Sequence, residues 1–209
     1  RGCRCLTHGC NDYLAVICGG LQLSIFLGYQ LLTETFPTKN ITLTIDSPQS
    51  ILAANLRENG RNDLIVSYDG GCKIIYNSLG SEPFNSTPQI ETIGIGVGGL
   101  RTAIVSADLN SDSHVGDLAI LNRGTSEVEI YSRNNAGSAP NIYPNVPSRT
   151  LDAGGVGLIN MTSGDFGGTS NQDIAVTDGD IRVQIFVQPS YGFIINISAS
   201  NTVFNLADK

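Results

Sequence analysis

The 209-residue chain has no Trp, one Met and two His, and only 15% of its residues are charged, against about 25% in average proteins. The shortage of Lys, Glu and Arg argues against solvent-facing helices, which draw on those residues. With only His8 and His114, there is little imidazole for acid–base chemistry. No G-x-S-x-G or H-E-x-x-H motif is present. Without Trp, and with only seven Tyr, sugar stacking has few platforms. Cations are also few: 12 Lys and Arg against 19 Asp and Glu give a net charge of −7. That balance excludes an electrostatic footprint for nucleic acid or an anionic membrane. No signal peptide is visible, and a start at Arg1 suggests a processed product or a fragment. The final Leu206-Ala207-Asp208 looks like the opening of another repeat.

What the chain has is glycine, 24 residues, and a hydrophobic fraction of 41%. Such a composition suits β-structure with many turns, and the length suits one domain with a real core. The uncharged stretch from Leu14 to Thr33 is long enough to span a bilayer, but its Gly19-Gly20 centre and its place in a repeat read as two strands, so no membrane span is expected.

An internal repeat organises the chain. Asn11-Asp12-Tyr13-Leu14-Ala15-Val16, Asn62-Asp63-Leu64-Ile65-Val66, Gly116-Asp117-Leu118-Ala119-Ile120 and Gln172-Asp173-Ile174-Ala175-Val176 share one frame, with anchor aspartates 51, 54 and 56 residues apart. Ile followed by an aromatic comes at Ile25-Phe26, Ile75-Tyr76, Ile130-Tyr131 and Ile185-Phe186, the aromatic thirteen or fourteen residues after each anchor. A small residue precedes a polar one upstream, at Ala54-Asn55, Ala107-Asp108 and Gly164-Asp165. In the third unit the pattern predicts a strand over Ala103–Ala107, a polar loop, a strand over Asp117–Leu121, a turn at Arg123-Gly124-Thr125, and a strand where Val128 and Ile130 alternate with Glu127 and Glu129. A fourth strand is clearest at Ile41, Leu43 and Ile45. Four strands per unit predict an all-β, propeller-like array of four four-stranded blades, with repeats at about 1–46, 47–100, 101–157 and 158–209 in a single domain 1–209.

Asp108-Leu109-Asn110-Ser111-Asp112 followed by Asp117-Leu118-Ala119-Ile120 resembles the FG-GAP/VCBS repeat. The Gly-rich approaches Gly94–Leu100 and Asp152–Leu158, and the tails Leu27-Gly28-Tyr29 and Asn77–Gly80, are similar to flanking parts of that repeat. The resemblance covers essentially the whole chain. It implies the β-propeller of integrin α-subunit heads, with calcium in the loops joining strands one and two. That family commonly closes seven blades, whereas four are present here.

Asp108, Asn110, Asp112, the His114 carbonyl and Asp117 form the leading calcium candidate, since alternate oxygens in a tight turn suit a cation wanting about six to eight of them. The spacing from Asp108 to Asp117 is one residue longer than the family's, and Gly is missing after Asp112. A solvated Asp/Asn turn is the competing reading. An EF-hand is disfavoured by Ser113 and Ala119. Asp165, Asn171 and Asp173 form a weaker set. The second loop offers Asn55, Asn59 and Asp63 but carries Arg57 at a ligand position. Each anchor Asp can also serve as a turn-stabilising acceptor.

In the first loop Arg4 replaces the leading Asp, and a Cys5–Cys10 disulfide is expected to clip it. Cys18 and Cys72 form a second candidate pair, leaving Cys3 over. Zinc held by Cys3, Cys5, His8 and Cys10 is the alternative, although its spacing matches no common finger. Gly94-Ile95-Gly96-Val97-Gly98-Gly99 satisfies a dinucleotide pattern, but a strand rather than a helix is predicted to follow it. Sequons occur at Asn40, Asn85, Asn160 and Asn196, a number near what chance gives. Asn40, Asn85 and Asn196 fall on predicted outer strands and are glycosylation candidates, whereas Asn160 falls on an inner strand. The expected function is an extracellular or cell-surface, non-enzymatic adhesion or structural module stabilised by calcium and disulfides, with a protein partner or self-association into a polymer. A ligand- or glycan-binding receptor head and a propeller glycoside hydrolase or lyase are the alternatives.

Overall fold

The computed structural model describes residues 4–6, 13–18, 22–27, 39–77, 84, 87–95, 99–154, 157–178, 182–188 and 193–198. The protein is all-β. Its first sheet holds β1 (Arg4–Leu6), β2 (Tyr13–Cys18), β3 (Gln22–Leu27) and β4 (Lys39–Thr44). The second holds β5 (Pro48–Ala54), β6 (Asp63–Tyr68), β7 (Gly71–Ile75) and β8 (Ile90–Ile93). The third holds β9 (Arg101–Ala107), β10 (Asp117–Asn122), β11 (Glu127–Tyr131) and β12 (Arg149–Asp152), and the fourth β13 (Asn160–Gly164), β14 (Asp173–Thr177), β15 (Arg182–Val187) and β16 (Phe193–Ser198). Every sheet is an antiparallel meander in chain order, and none closes on itself. The first strands neighbour one another in series: β1 meets β5, β5 meets β9, and β9 meets β13.

The second strand of each unit explains this stacking. A strand covered on both faces reads as a continuous apolar run, and β10 is buried at all six positions. Its alternate side chains go to different cores. Leu118 and Ile120 join Ile65, Ile74 and Ile93 of the second sheet, while Ala119 and Leu121 join Met161, Ile174 and Phe186 of the fourth. Likewise Leu64 and Val66 of β6 pack with Ala15, Leu23 and Ile25 of the first sheet. The core therefore lies in layers between consecutive sheets.

The uncharged Leu14–Thr33 stretch contributes β2 and β3, paired from Tyr13↔Leu27 to Cys18↔Gln22. Among the described residues no helix is long and apolar enough to cross a membrane. Two expectations need correction. The first strand of the third unit begins at Arg101 rather than Ala103. Glu129, which alternation placed on a polar face, is fully buried, because a neighbouring sheet covers each face of β11. Arg101, equally buried, meets it there: its Nε lies 2.9 Å from Glu129 Oε2 and its Nη2 3.0 Å from Oε1. Asn122 Nδ2 and the Tyr131 hydroxyl also donate to that carboxylate. A register shift between Leu121 and Asn122 aligns Asn122 with Arg101. Gly94 approaches this cluster so closely that an added Cβ would fall 2.8 Å from the Tyr131 hydroxyl.

Candidate functional site

The loops joining first to second strands, residues 55–62, 108–116 and 165–172, are built to one plan. Each anchor aspartate opens the second strand and pairs with the small residue that ends the first: Asp63 with Ala54, Asp117 with Ala107, Asp173 with Gly164. That small partner leaves the carboxylate room to turn into the loop. All three aspartates are buried and accept a backbone N–H from the chain leaving the third strand. The donors are Asn77 (2.8 Å), Arg133 (2.7 Å) and Gln188 (2.8 Å). The second oxygen takes Leu109 N–H in the third unit, and Phe166 and Gly167 N–H in the fourth. In the second unit it takes a side chain, Arg57 Nε, at 3.2 Å. Desolvation pushes the Asp117 carboxyl up to about 6. It raises Asp63 as well, against the opposing pull of Arg57.

The leading residue of each loop caps the residue four positions on, and in the third and fourth loops also the one five on. Asp108 accepts from the N–H of Asp112 and Ser113, Asp165 from those of Thr169 and Ser170, and Asn55 from that of Asn59. Backbone handedness repeats too. Three residues after the leader, φ is 53° at Glu58, 63° at Ser111 and 69° at Gly168. Five residues after, it is 79° at Gly60, 70° at Ser113 and 66° at Ser170. Ser113 thus takes the left-handed place where the repeat pattern asked for Gly.

Within the third loop the structure brings Asp108, Asn110 and Asp112 together. The Asp112 N–H lies 3.2 Å from Asp108 Oδ1 and 3.0 Å from Asn110 Oδ1, and Asn110 Nδ2 donates to Asp112 Oδ2. Partial desolvation of Asp112 is outweighed by hydrogen bonds from His114 N–H, Asn110 and Asn135, which hold its carboxyl below the usual range. Asp117 stands behind this group, both oxygens engaged by backbone. His114 turns its ring away to Glu58, with Nδ1 2.8 Å from Oε2. Among the described residues no three His, Cys, Asp or Glu side chains converge as a metal cage. In the fourth loop Asp165 and Asp173 each bind backbone, and Asn171 takes part in neither set. In the second loop the Arg57 guanidinium supplies positive charge beside the anchor: its Nη2 is 2.8 Å from Asp63 Oδ1 and also donates to the Asn77 carbonyl, and it stacks 5.0 Å from the Tyr76 ring centroid.

Residues that the sequence did not single out lace the loops together. Glu58 takes His114 and the Val115 N–H, joining the second loop to the third. Gln188 accepts from the Ser111 hydroxyl at 2.7 Å and donates to the Asp108 carbonyl at 2.9 Å, joining the third loop to the fourth unit. Buried Glu91 binds the N–H groups of Ile142 and Tyr143 in the long loop of the third unit. Contacts between units leave no trace in a repeat pattern, so only the identities of these polar side chains were visible.

Cys72, expected to bridge to Cys18, is a fully buried free thiol whose pKa burial raises. It packs against Ile74, Ile93 and Ile104 in the core between second and third sheets, whereas Cys18 ends β2 of the first sheet. Cys5 lies on β1, and Cys3, His8 and Cys10 are outside the described residues. Asn40 lies on β4 and Asn196 on β16, both last strands of their sheets, while Asn160 opens β13, a first strand, and is exposed there. Asn85 is outside the described residues. Gly99 is followed by β9 rather than a helix, which removes the setting a dinucleotide pattern requires. No family model matches the chain, and no curated protein matches it.

Proposed function

We propose that the chain is a four-bladed, propeller-like FG-GAP/VCBS-type repeat segment that works outside the cell as a non-enzymatic adhesion or structural module. The observation that carries this reading is the use made of the loop carboxylates. Asp63, Asp117, Asp173, Asp108 and Asp165 all hold backbone N–H groups. Catalytic chemistry needs carboxylates free to exchange protons with a substrate, whereas a scaffold needs its loops held in one shape.

Calcium belongs to the same proposal. Asp108 and Asn110 turn side-chain oxygens to the Asp112 N–H, and the Asp112 carboxylate lies within hydrogen-bond reach of Asn110; hard oxygens of this kind are what calcium selects. They would hold the ion with the His114 carbonyl and water, and it would neutralise their charge. Asp117 would act from behind by positioning Leu109. The second loop needs no ion, because Arg57 supplies its positive charge. Glycans at Asn40 and Asn196, on the last strands of their sheets, and at the Asn85 sequon would fit an extracellular setting.

Light scattering across a concentration series, with calcium and with chelator, tests the proposal. Growth into multimers that chelation or Asp108→Ala reverses is the expected result. A monomer indifferent to calcium would remove both the ion and the polymer.

A further inference from the structure

Asn59 is the one asparagine of the chain followed by glycine, and both residues are exposed. Its Oδ1 accepts the Arg61 N–H at 3.0 Å. This Asx turn folds the side chain back over Gly60, the residue whose nitrogen is next along the chain, and polarises the amide carbonyl. Gly60, at φ +79°, has nothing within 4 Å of where a Cβ would stand, so the loop is open there and no side chain on the following residue crowds its nitrogen.

We propose that Asn59 is a spontaneous hydrolytic modification site that converts to aspartate and isoaspartate. The Gly60 nitrogen loses its proton to solvent base and bonds to Asn59 Cγ. The bond from Cγ to the side-chain nitrogen breaks, and ammonia leaves carrying a solvent proton. Water then opens the resulting five-membered imide. Attack at Cγ gives aspartate; attack at the backbone carbonyl gives isoaspartate. No oxidant or reductant is needed.

Two further asparagines serve as internal controls. Asn110 and Asn134 are exposed and form the same turn, accepting the N–H of Asp112 at 3.0 Å and of Ala136 at 3.1 Å. They are followed by Ser111 and Asn135, whose side chains hinder attack by the backbone nitrogen. The consequence at Asn59 is structural. Isoaspartate adds a methylene to the backbone beside Glu58, the residue that ties the second loop to His114 and Val115. Conversion therefore loosens that tie as the protein ages.

The test is incubation of the full chain at mildly alkaline pH in heavy-oxygen water, followed by peptide mapping, with a parallel sample in urea. Expected are heavy oxygen at residue 59, conversion several-fold faster than at Asn110 and Asn134, and a rate in the folded chain at least equal to that in urea. Asn59→Gln, which keeps an amide but could close only a six-membered imide, and that far more slowly, should silence the position. Slower reaction in the folded chain than in urea, or equal rates at Asn110 or Asn134, would overturn the proposal.

Discussion

Arg57 Nη2 stands 2.8 Å from Asp63 Oδ1, so the second unit carries its own cation on the aspartate that in the third and fourth units meets only backbone. Asp63 is fully buried and Arg57 mostly so. Arg57→Ala strips a buried carboxylate of its counter-charge and should cost about 2–3 kcal/mol. Denaturant unfolding with and without calcium checks this. A loss below about 0.5 kcal/mol would mean the pair behaves like an exposed one.

Asp117 should titrate with a midpoint of about 6, well above its ordinary 3.8. Its raised folded-state value fixes the sign. The contribution to stability is complete below 3.8 and is lost as pH rises through about 6. Carbon-detected NMR of the carboxyl reads the midpoint directly. A value near 4 would show that the Leu109 and Arg133 N–H groups outweigh burial. Calcium beside Asp108 and Asp112 should move the midpoint down.

Glu58 has the opposite sign. The hydrogen bond from His114, then that from Val115 N–H, lowers its carboxyl from 4.5. Its stabilising contribution is present above 4.5 and lost as pH falls through the lowered folded value. Glu58→Gln should therefore be less stable than the parent at neutral pH and match it in strong acid. Thermal melts across that range would reveal it; a constant gap at all pH values would assign the loss to packing instead.

These loops show what a single sequence discloses. The anchor aspartates and the Ile-aromatic pairs were legible because each obeys a constraint inside its own unit: register opposite a small residue, and burial between layers. The pairing of Asp63, Asp117 and Asp173 with backbone past the third strand follows from the same local geometry. Glu58, Gln188 and Glu91 were not legible, since their partners lie in other units at no fixed spacing. Glu129 misled, because alternation reports the faces of a strand and not what covers them.

Ser113 and Ser170 hold φ values of 70° and 66°, a region costing a non-Gly residue about 1–2 kcal/mol. Glycine relieves that cost but loses about 0.5–1 kcal/mol through its greater freedom when unfolded. Ser113→Gly and Ser170→Gly should each stabilise by about 0.5 kcal/mol. The two sites lie in separate loops, so their effects should add. Destabilisation by either would show that the seryl side chain supports its turn.

The Arg101–Glu129 pair is the place where sequence reasoning and structure differ most, and it separates two ways of losing a buried charge. Glu129→Gln keeps the shape but leaves the Arg101 guanidinium buried without its counter-ion, and should cost about 3–5 kcal/mol. It also weakens the bonds from Asn122 and Tyr131. Arg101→Met combined with Glu129→Leu removes both charges, so neither desolvation penalty nor unmet charge remains. Because Asn122 and Tyr131 still lose an acceptor, the double variant should recover much of the loss but not all of it. Chemical denaturation of both variants decides the matter. If the double variant falls below Glu129→Gln, the ion pair contributes net stability beyond satisfying its own charges, and the network is a cornerstone of the third sheet rather than a tolerated burial.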